Sequence, residues 1–574
     1  MARLPFHKEG FGPFRKGNPG RTLCQTIGLL IVAAALVLSG CARPVSTTTA
    51  TTGAPKAGTT TQAPTPTQKG PYGELKLGLS TFDQDRFEPT KVSTTTAVQF
   101  FAPMADWLIR LDGAKLGPGV ADSWELAKDG GSWIFRIHKG IKFHNGEDLT
   151  ADDVKFSLER YMRPDSLRPD IREATARVDK VDDYTVAVYT KRSPEIYYTL
   201  LLSFYNPSSL GIVQPKDYIE KNGIDYYEQH PIGSGPFKFS RYTKADFVEY
   251  EAVDNHWRKT PAFKKFTEYM VPDESTRSAM IKVGALDMME AEIDAARQLE
   301  DKGFKAVSLS HQQTLVILKG GLDPASKGLP ISDVRVRQAL SLAINREEIM
   351  KFYLFGKGSP PLPALLQGEW VEDADIPYWE QQAAKSYARY DPTEAKRLLA
   401  EAGYPQGFSI KVWGPIMGQG AFLPKVAEIV AGYWQAIGVK AEVVVADFNA
   451  VRPILDVNKV PNTPLRGNAV MNRLGVRPNP VAMYSTYLSS NASYPLLDLS
   501  WPEVDKVLAS IAVETNVTKR KEIIAQVIQK VADLYVVLPI AGVPSLGVLG
   551  PAADYTSLGP HASFAQYVEY VRHR

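Results

Sequence analysis

Between Ala42 and Gly70 the chain carries ten threonines from Thr47 to Thr67, prolines at Pro55, Pro64 and Pro66, and hardly a large apolar side chain. Such a segment cannot bury enough surface to offset the entropy of ordering its backbone. Folding is therefore expected only from about Pro71 onward. Residues 41–70 are expected to act as a disordered tether, reaching about 30 Å r.m.s. as a flexible coil. The 504 residues after Gly70 have the material for a large core, since the chain as a whole is 44% hydrophobic and 22% charged. That balance excludes a wholly disordered chain, a collagen and a multi-span membrane protein. Two cysteines in 574 residues exclude a disulfide scaffold.

The first forty residues read as an address. Arg3, Lys8, Arg15, Lys16 and Arg21 precede an apolar run from Ile27 to Leu38. As a helix that run covers about 18 Å, too short for a bilayer core of about 30 Å. It ends in Leu38-Ser39-Gly40-Cys41, with small residues where a signal peptidase grips extended chain. The ending resembles a bacterial lipobox, which implies cleavage before Cys41 and a diacylglycerol on its sulfur. Ala42 follows, so no aspartate marks retention in an inner membrane. An ordinary signal peptide with a coincidental cysteine is the competing reading. The formal charge of +3 comes from this leader. Without residues 1–40 the chain has 61 bases against 62 acids, and a nearly neutral chain has no bulk attraction for nucleic acid.

The folded body mixes strands and helices without strict alternation, and no period of 20–50 residues repeats, so the expected class is mixed α/β. Strand patterns run through Glu74–Ser80, Trp133–Ile137 and Tyr184–Tyr189, and a tight turn at Gly233-Ser234-Gly235-Pro236 enters a strand at Phe237. Helix starts are marked by Thr150 with Asp153, and by Asp391-Pro392-Thr393-Glu394 ahead of a stop at Gly403. A further helix spans Ala427 to Ile437, a strand Val439 to Val445, and a helical apolar stripe runs from Ile523 to Val531. Chemistry is sparse. Zinc-protease, phosphate-loop and nucleophile-elbow motifs are all missing. His138 and His144 alone, without a nearby third ligand, do not make a metal site. No catalytic residue, metal or cofactor is expected.

The order of several blocks carries more. Val120-Ala-Asp-Ser-Trp124, Trp133–Ile137 and Ile141–Arg160 closely resemble the opening signature of the family 5 extracellular solute-binding proteins of ABC importers. Pro231–Phe237, Asn255-His-Trp257, Pro272-Asp273 with Gly284–Asp287, Ser332–Arg346, Tyr390–Tyr404 and Gly438-Val439 follow in the family's order. The resemblance implies a two-lobe, periplasmic-binding-protein-like α/β fold with an extra subdomain in the first lobe. The expected organisation is lobe I over 71–310 with its subdomain at about 112–230, lobe II over 311–540, and a return to lobe I over 541–574. Crossing strands join the lobes. The implied function is an extracytoplasmic, membrane-tethered lipoprotein, in the periplasm or on the outer face of the cytoplasmic membrane. It would be a monomer that captures a peptide-like or other small polar solute and delivers it to an ABC permease and ATPase complex. Turn and cap chemistry explains most of the block residues as scaffold, with Arg335, Arg337 and Arg346 expected to hold hydrogen bonds between segments.

The resemblance is weakest where it bears on the ligand. Peptide-binding relatives carry a Trp-rich acidic stretch ending in Asp-Pro, with an aspartate that pairs with the peptide amine. Here the stretch reads Met471-Asn-Arg-Leu-Gly-Val-Arg-Pro-Asn-Pro480. Asn479 precedes the proline, Val476 lies near the amine-pairing position, and Arg473 replaces the usual aromatic. A buried ammonium without a carboxylate costs several kcal/mol, so this stretch disfavours a free-amine peptide. Arg473 and Arg477 favour an anionic or hydroxyl-rich ligand, unless both lie on the outer surface. The candidate ligand contacts are Trp413 after its strand, Arg473, Tyr484 on the following helix, and Phe82 and Phe100 in the first lobe. A surface hydrolase and a signalling receptor without import are the competing functions.

Overall fold

The computed structural model describes residues 70–574 except 83, 93–94, 113–114, 204–210, 367–372, 417–419, 458, 461, 476, 478, 491, 493, 499–500 and 557–563. The leader, Cys41, the tether and Val476 lie outside the described residues. Among the described residues no helix is long and apolar enough to cross a membrane.

Ten strands form one sheet. From one edge their order is Lys440–Asp447, Ser409–Ile416, Ala469–Leu474, Lys305–Leu318, Val537–Leu549, Met288–Ala291, Glu74–Leu79, Lys265–Met270, Phe247–Ala252 and Phe237–Thr243. The two long central strands, Lys305–Leu318 and Val537–Leu549, pair antiparallel along their length and cross between two half-sheets. On one side Leu546–Leu549 also pairs with Met288–Ala291, beside which Glu74–Leu79 runs parallel. On the other side Gln313–Leu318 pairs with Ala469–Leu474. The pairing of the crossing strands is irregular between Ser308 and Ser310 and again between Thr314 and Leu315. Each irregularity breaks the ladder locally and lets the strands bend. The first lies where the pairing with Met288–Ala291 ends and the second within the stretch paired with Ala469–Leu474, so the crossing strands of this two-lobed α/β fold bend near and beyond the junction of the half-sheets.

One core lies wholly in the first half, while another runs from Met289, Ile293 and Leu299 across the crossing strands into the second half. Leu75, Leu77, Phe82, Phe100, Tyr250 and Phe266 belong to the first, with Tyr567 and Val568 from the C-terminal return packed into it. The second lobe buries Val412, Val430, Trp434 and Leu340 on one face and Tyr484, Ile524, Ile528 and Val537 on the other. A separate four-stranded sheet, ordered Ala121–Leu126, Ser132–Ile137, Thr185–Thr190 and Thr175–Asp182, forms the subdomain. Phe135, Val186 and Val188 pack there against Val154, Leu158 and Tyr161 of the helix Ala151–Met162.

The sequence signals act locally as their chemistry dictates. Thr150 and Asp153 form a reciprocal capping box at the start of Ala151–Met162. Asp391 accepts from the Glu394 amide at 2.9 Å to start Pro392–Glu401. The stripe through Ile524, Val527, Ile528 and Val531 lies on the buried face of Val517–Asp533. Gly235 needs its missing side chain, because a Cβ there would stand 2.5 Å from the Met104 carbonyl carbon. The three block arginines tie distant segments. Arg346, buried, donates through Nε to the Pro539 carbonyl at 2.6 Å and through Nη1 to Ser341 and Ile344 carbonyls. Arg337 donates to the carbonyls of Leu534, Gly321, Ile331 and Ser332, and Arg335 to that of Glu401.

Candidate functional site

Where the half-sheets meet, strand ends and the crossing strands enclose a cavity of about 100 Å³. Ser80, at the end of Glu74–Leu79, Arg277, and Glu290 to Ile293, at the end of Met288–Ala291, supply the lobe I wall. Leu309, Gln312 and the segment Val543 to Leu546 come from the crossing strands, and Phe422 comes from lobe II. The parallel strands open their carboxyl ends onto this space, the usual position for a ligand in an open α/β sheet.

The lobe I wall carries two carboxylates and one guanidinium, and it is held in place. The Ser80 amide and hydroxyl both donate to Glu290 Oε2, at 3.2 and 3.0 Å. Arg277 donates through Nη1 to the carbonyls of Val271 and Pro272 at 2.6 and 2.9 Å, and through Nε to the Glu290 carbonyl at 3.3 Å. Its guanidinium therefore braces backbone. Burial raises the Glu290 carboxyl above its ordinary range. Burial also pushes Glu292 up to about 7, reinforced by the carboxylates of Glu274 and Glu290. Opposite stands Arg473, half-buried, whose Nη1 donates to Gln312 Oε1 at 2.6 Å. Burial lowers the Arg473 guanidinium, while Tyr487 and Glu292 favour its charge.

The candidates read from the sequence divide accordingly. Arg473 stands at the crossing, joined to a cavity residue, and not on the outer surface. Arg477 lies 5.8 Å from the Tyr487 ring centroid, also half-buried. Trp413 packs partly buried against Val451, Leu455, Leu465 and Val470, and its indole N–H has no partner among the described residues. Phe82 and Phe100 are inside the lobe I core, with ring centroids 5.3 Å apart and Phe100 also 4.6 Å from Phe87. Tyr484 is 0% exposed in the lobe II core. These three rings do not line the cavity; Phe82 follows a strand, Phe100 follows the helix Thr95–Gln99 and Tyr484 lies within Pro480–Tyr487, each where packing consumes an aromatic side chain. His144 is likewise structural. Its Nε2 bonds the Gly235 carbonyl at 2.9 Å, its Nδ1 accepts from the Gly233 amide at 3.2 Å, and burial pushes its pKa down to about 4. Among the described residues no group of three acidic, histidine or cysteine side chains has metal-binding geometry.

Sequence reasoning missed Glu290, Glu292 and Gln312. A signal for Glu290 exists in Met288-Met289-Glu290-Ala291, where alternation puts a carboxylate on the face of Met288, inside the lobe I core. Glu268 has the same signature, lying between Phe266 and Met270 on one face of its strand.

Two half-sheets, two crossing strands and a cavity of mixed lining at the crossing define a two-lobed binding-protein fold. The family described as bacterial extracellular solute-binding proteins, family 5 Middle, matches residues 115–495; the chain belongs to that family. It is 30% identical over 359 residues to heme-binding protein A of Haemophilus influenzae, covering 58% of this chain and 62% of that protein. It is also 30% identical over 358 residues to the dipeptide-binding protein of Escherichia coli, covering 58% and 63%. The matches thus span about six-tenths of the curated relatives' length. The crystal structure of the ABC transporter substrate-binding protein CtaP of Listeria monocytogenes superposes with a TM-score of 0.73 at 19% identity, over 88% of this chain and 99% of that one. This likeness shows the shared fold.

Proposed function

We propose that the protein is the extracytoplasmic substrate-binding lipoprotein of an ABC importer. It captures a peptide-like or other small polar solute between its two lobes and hands it unaltered to a membrane permease. The observation that carries this reading is the cavity at the bend of the crossing strands, lined by polar and apolar residues from both lobes. A solute held there makes contacts that the open state lacks, and closure is driven by that difference. Family membership and the names of the relatives, which bind heme and dipeptide, support a small-solute cargo. The lipobox at Cys41 and the tether behind it support attachment at a membrane surface, since acyl methylenes bury at about 0.8 kcal/mol each. Arg473 is the proposed contact for an acidic or hydroxyl group of the solute, and Trp413 a wall of the cleft.

Thermal-shift screening against peptides, oligosaccharides and metal chelates tests the reading. At least one class raises the melting temperature, and the ligand is recovered chemically unchanged after prolonged incubation. Turnover of the ligand would favour a surface hydrolase and refute the receptor. Cys41→Ser is expected to release the protein from membranes; continued membrane attachment would refute the lipid anchor.

A further inference from the structure

Tyr197 and Tyr198 are neighbours in the chain but are buried in different bodies. Tyr198 is 0% exposed in the subdomain core, and its hydroxyl shares a 2.7 Å hydrogen bond with that of Thr175. Tyr197, 4% exposed, packs instead into the lobe II core with Leu315, Ala364, Trp379 and Tyr484. Among the described residues it is the one buried side chain of that core contributed from outside lobe II, and Ile196 and Leu200 flank it half-buried. A backbone bond accompanies the ring. The Ile196 amide donates to the Ala512 carbonyl at 3.3 Å, and Ala512 lies in the last turn of Pro502–Val513, where carbonyls lack an intrahelical donor. The Tyr197 ring centroid is 5.9 Å from the guanidinium of Arg520, which donates to Asp373 Oδ1 at 2.5 Å and to the Glu514 carbonyl at 2.9 Å.

The subdomain that carries these tyrosines is tied to lobe I. Arg160 donates through Nη2 to Glu88 Oε2 at 2.7 Å, with both side chains buried, and Gln214 Nε2 donates to the same oxygen at 3.1 Å. His144 Nε2 bonds the Gly235 carbonyl at 2.9 Å. The lobes are therefore joined twice, covalently by the crossing strands and without a covalent link at Tyr197. A bend of the crossing strands that parts the subdomain from lobe II must draw an aromatic ring out of a packed core and break the Ile196 bond, returning both groups to water. One ring, two half-buried flanks and one backbone bond make a small contact, which biases an equilibrium and does not fuse the lobes.

We infer that Tyr197 is a latch between the lobe I subdomain and lobe II, which keeps a share of the empty protein closed and so sets how much closure a solute must drive. The inference rests on the two-lobe solute-binding reading above and adds its regulation. With the ring seated, the closed state is populated before a solute arrives, and apparent affinity rises with that population. With the ring withdrawn, solute contacts alone must close the lobes. Tyr197 does not line the cavity, so it acts on affinity without selecting among solutes.

The latch is tested without a solute, by electron double resonance on the full chain in detergent. Cys24→Ser and Cys41→Ser remove the native thiols, and spin labels stand at the exposed positions Asp254→Cys in lobe I and Glu442→Cys in lobe II. With Tyr197 intact, the empty protein is expected to show a peak at the interlobe distance of the structure beside a longer one. Tyr197→Ala is expected to lower the closed-to-open ratio about ten-fold or more. Tyr197→Leu, which keeps an apolar side chain in the lobe II core, is expected to lower it about three-fold and gives a second reading should the first variant fold poorly. Ile171→Ala, a truncation inside the subdomain core, is the control and is expected to leave the distribution unchanged. Absence of the shorter peak with Tyr197 intact, a ratio unaltered in both Tyr197 variants, or an equal shift in the control overturns the latch. Each of these outcomes leaves the receptor reading standing, because that reading is tested by the response to solute.

Discussion

Replacing Glu292 by glutamine removes a cleft carboxyl whose ionisation burial opposes. The folded protein holds this proton up to about pH 7, against an ordinary value of 4.5 in the unfolded chain, chiefly through burial and secondarily through Glu274 and Glu290. The folded state therefore binds more protons than the unfolded state between these limits, and stability falls as pH rises from 4.5 through 7. At about 1.4 kcal/mol for each tenfold step in proton affinity, the whole loss is about 3 kcal/mol. A folded body of this length has an unfolding entropy of about 1 kcal/mol/K, so the loss corresponds to about 3 °C in melting temperature. Glutamine cannot ionise and escapes it. The other buried carboxyls titrate alike in both proteins and cancel in the comparison. Melting temperatures of wild type and Glu292→Gln are measured at pH 5 and pH 8 at low salt. The variant is expected to gain about 3 °C on the wild type in going from pH 5 to pH 8. A difference between the two proteins that is the same at both pH values would refute the argued environment of Glu292.

Other perturbations read the scaffold and the cleft. Arg346→Met takes the guanidinium donors away from the buried carbonyls of Pro539, Ser341 and Ile344, and is expected to cost about 3 kcal/mol in urea unfolding; a cost below about 1 kcal/mol would show those bonds to be replaceable. Gly547→Ala places a methyl 2.0 Å from a ring carbon of Phe564, which must push the C-terminal return away from the crossing strand. A loss of about 1–3 kcal/mol is expected by thermal unfolding, and a neutral effect would contradict that packing. Trp413→Ala is expected to weaken the best solute from the screen at least ten-fold by calorimetry, and unchanged affinity would remove Trp413 from the wall of the cleft.

Much of this fold is legible in the chain because its signals are local. The caps at Thr150 and Asp391 and the turns at Gly235 and Gly438 depend on residues within a few positions of one another. So do the apolar stripe at Ile524–Val531 and the alternation in Glu74–Leu79, and the helices and strands stand where these place them. The site was less legible, for a physical reason. Whether an aromatic after a strand faces a ligand or a core depends on what a distant segment brings to it. Phe82 meets Phe100, and Phe100 meets Phe87 and Tyr242, so tertiary packing takes up faces that the strand ends alone leave open. The cavity's carboxylates were hidden among many acids, although Glu290 follows Met288 on one face of its strand. A charge on the buried side of an otherwise apolar alternation was the readable clue.

Closure of the two lobes on a solute requires the crossing strands to bend. Spin labels at Asp254→Cys in lobe I and Glu442→Cys in lobe II, both exposed positions, report it directly by electron double resonance. The chain begins at Ala42 for this purpose, which removes both native cysteines. Adding the best solute from the screen is expected to shift the interlobe distance distribution to a shorter, narrower peak. A distribution that stays the same with solute bound would contradict the claim.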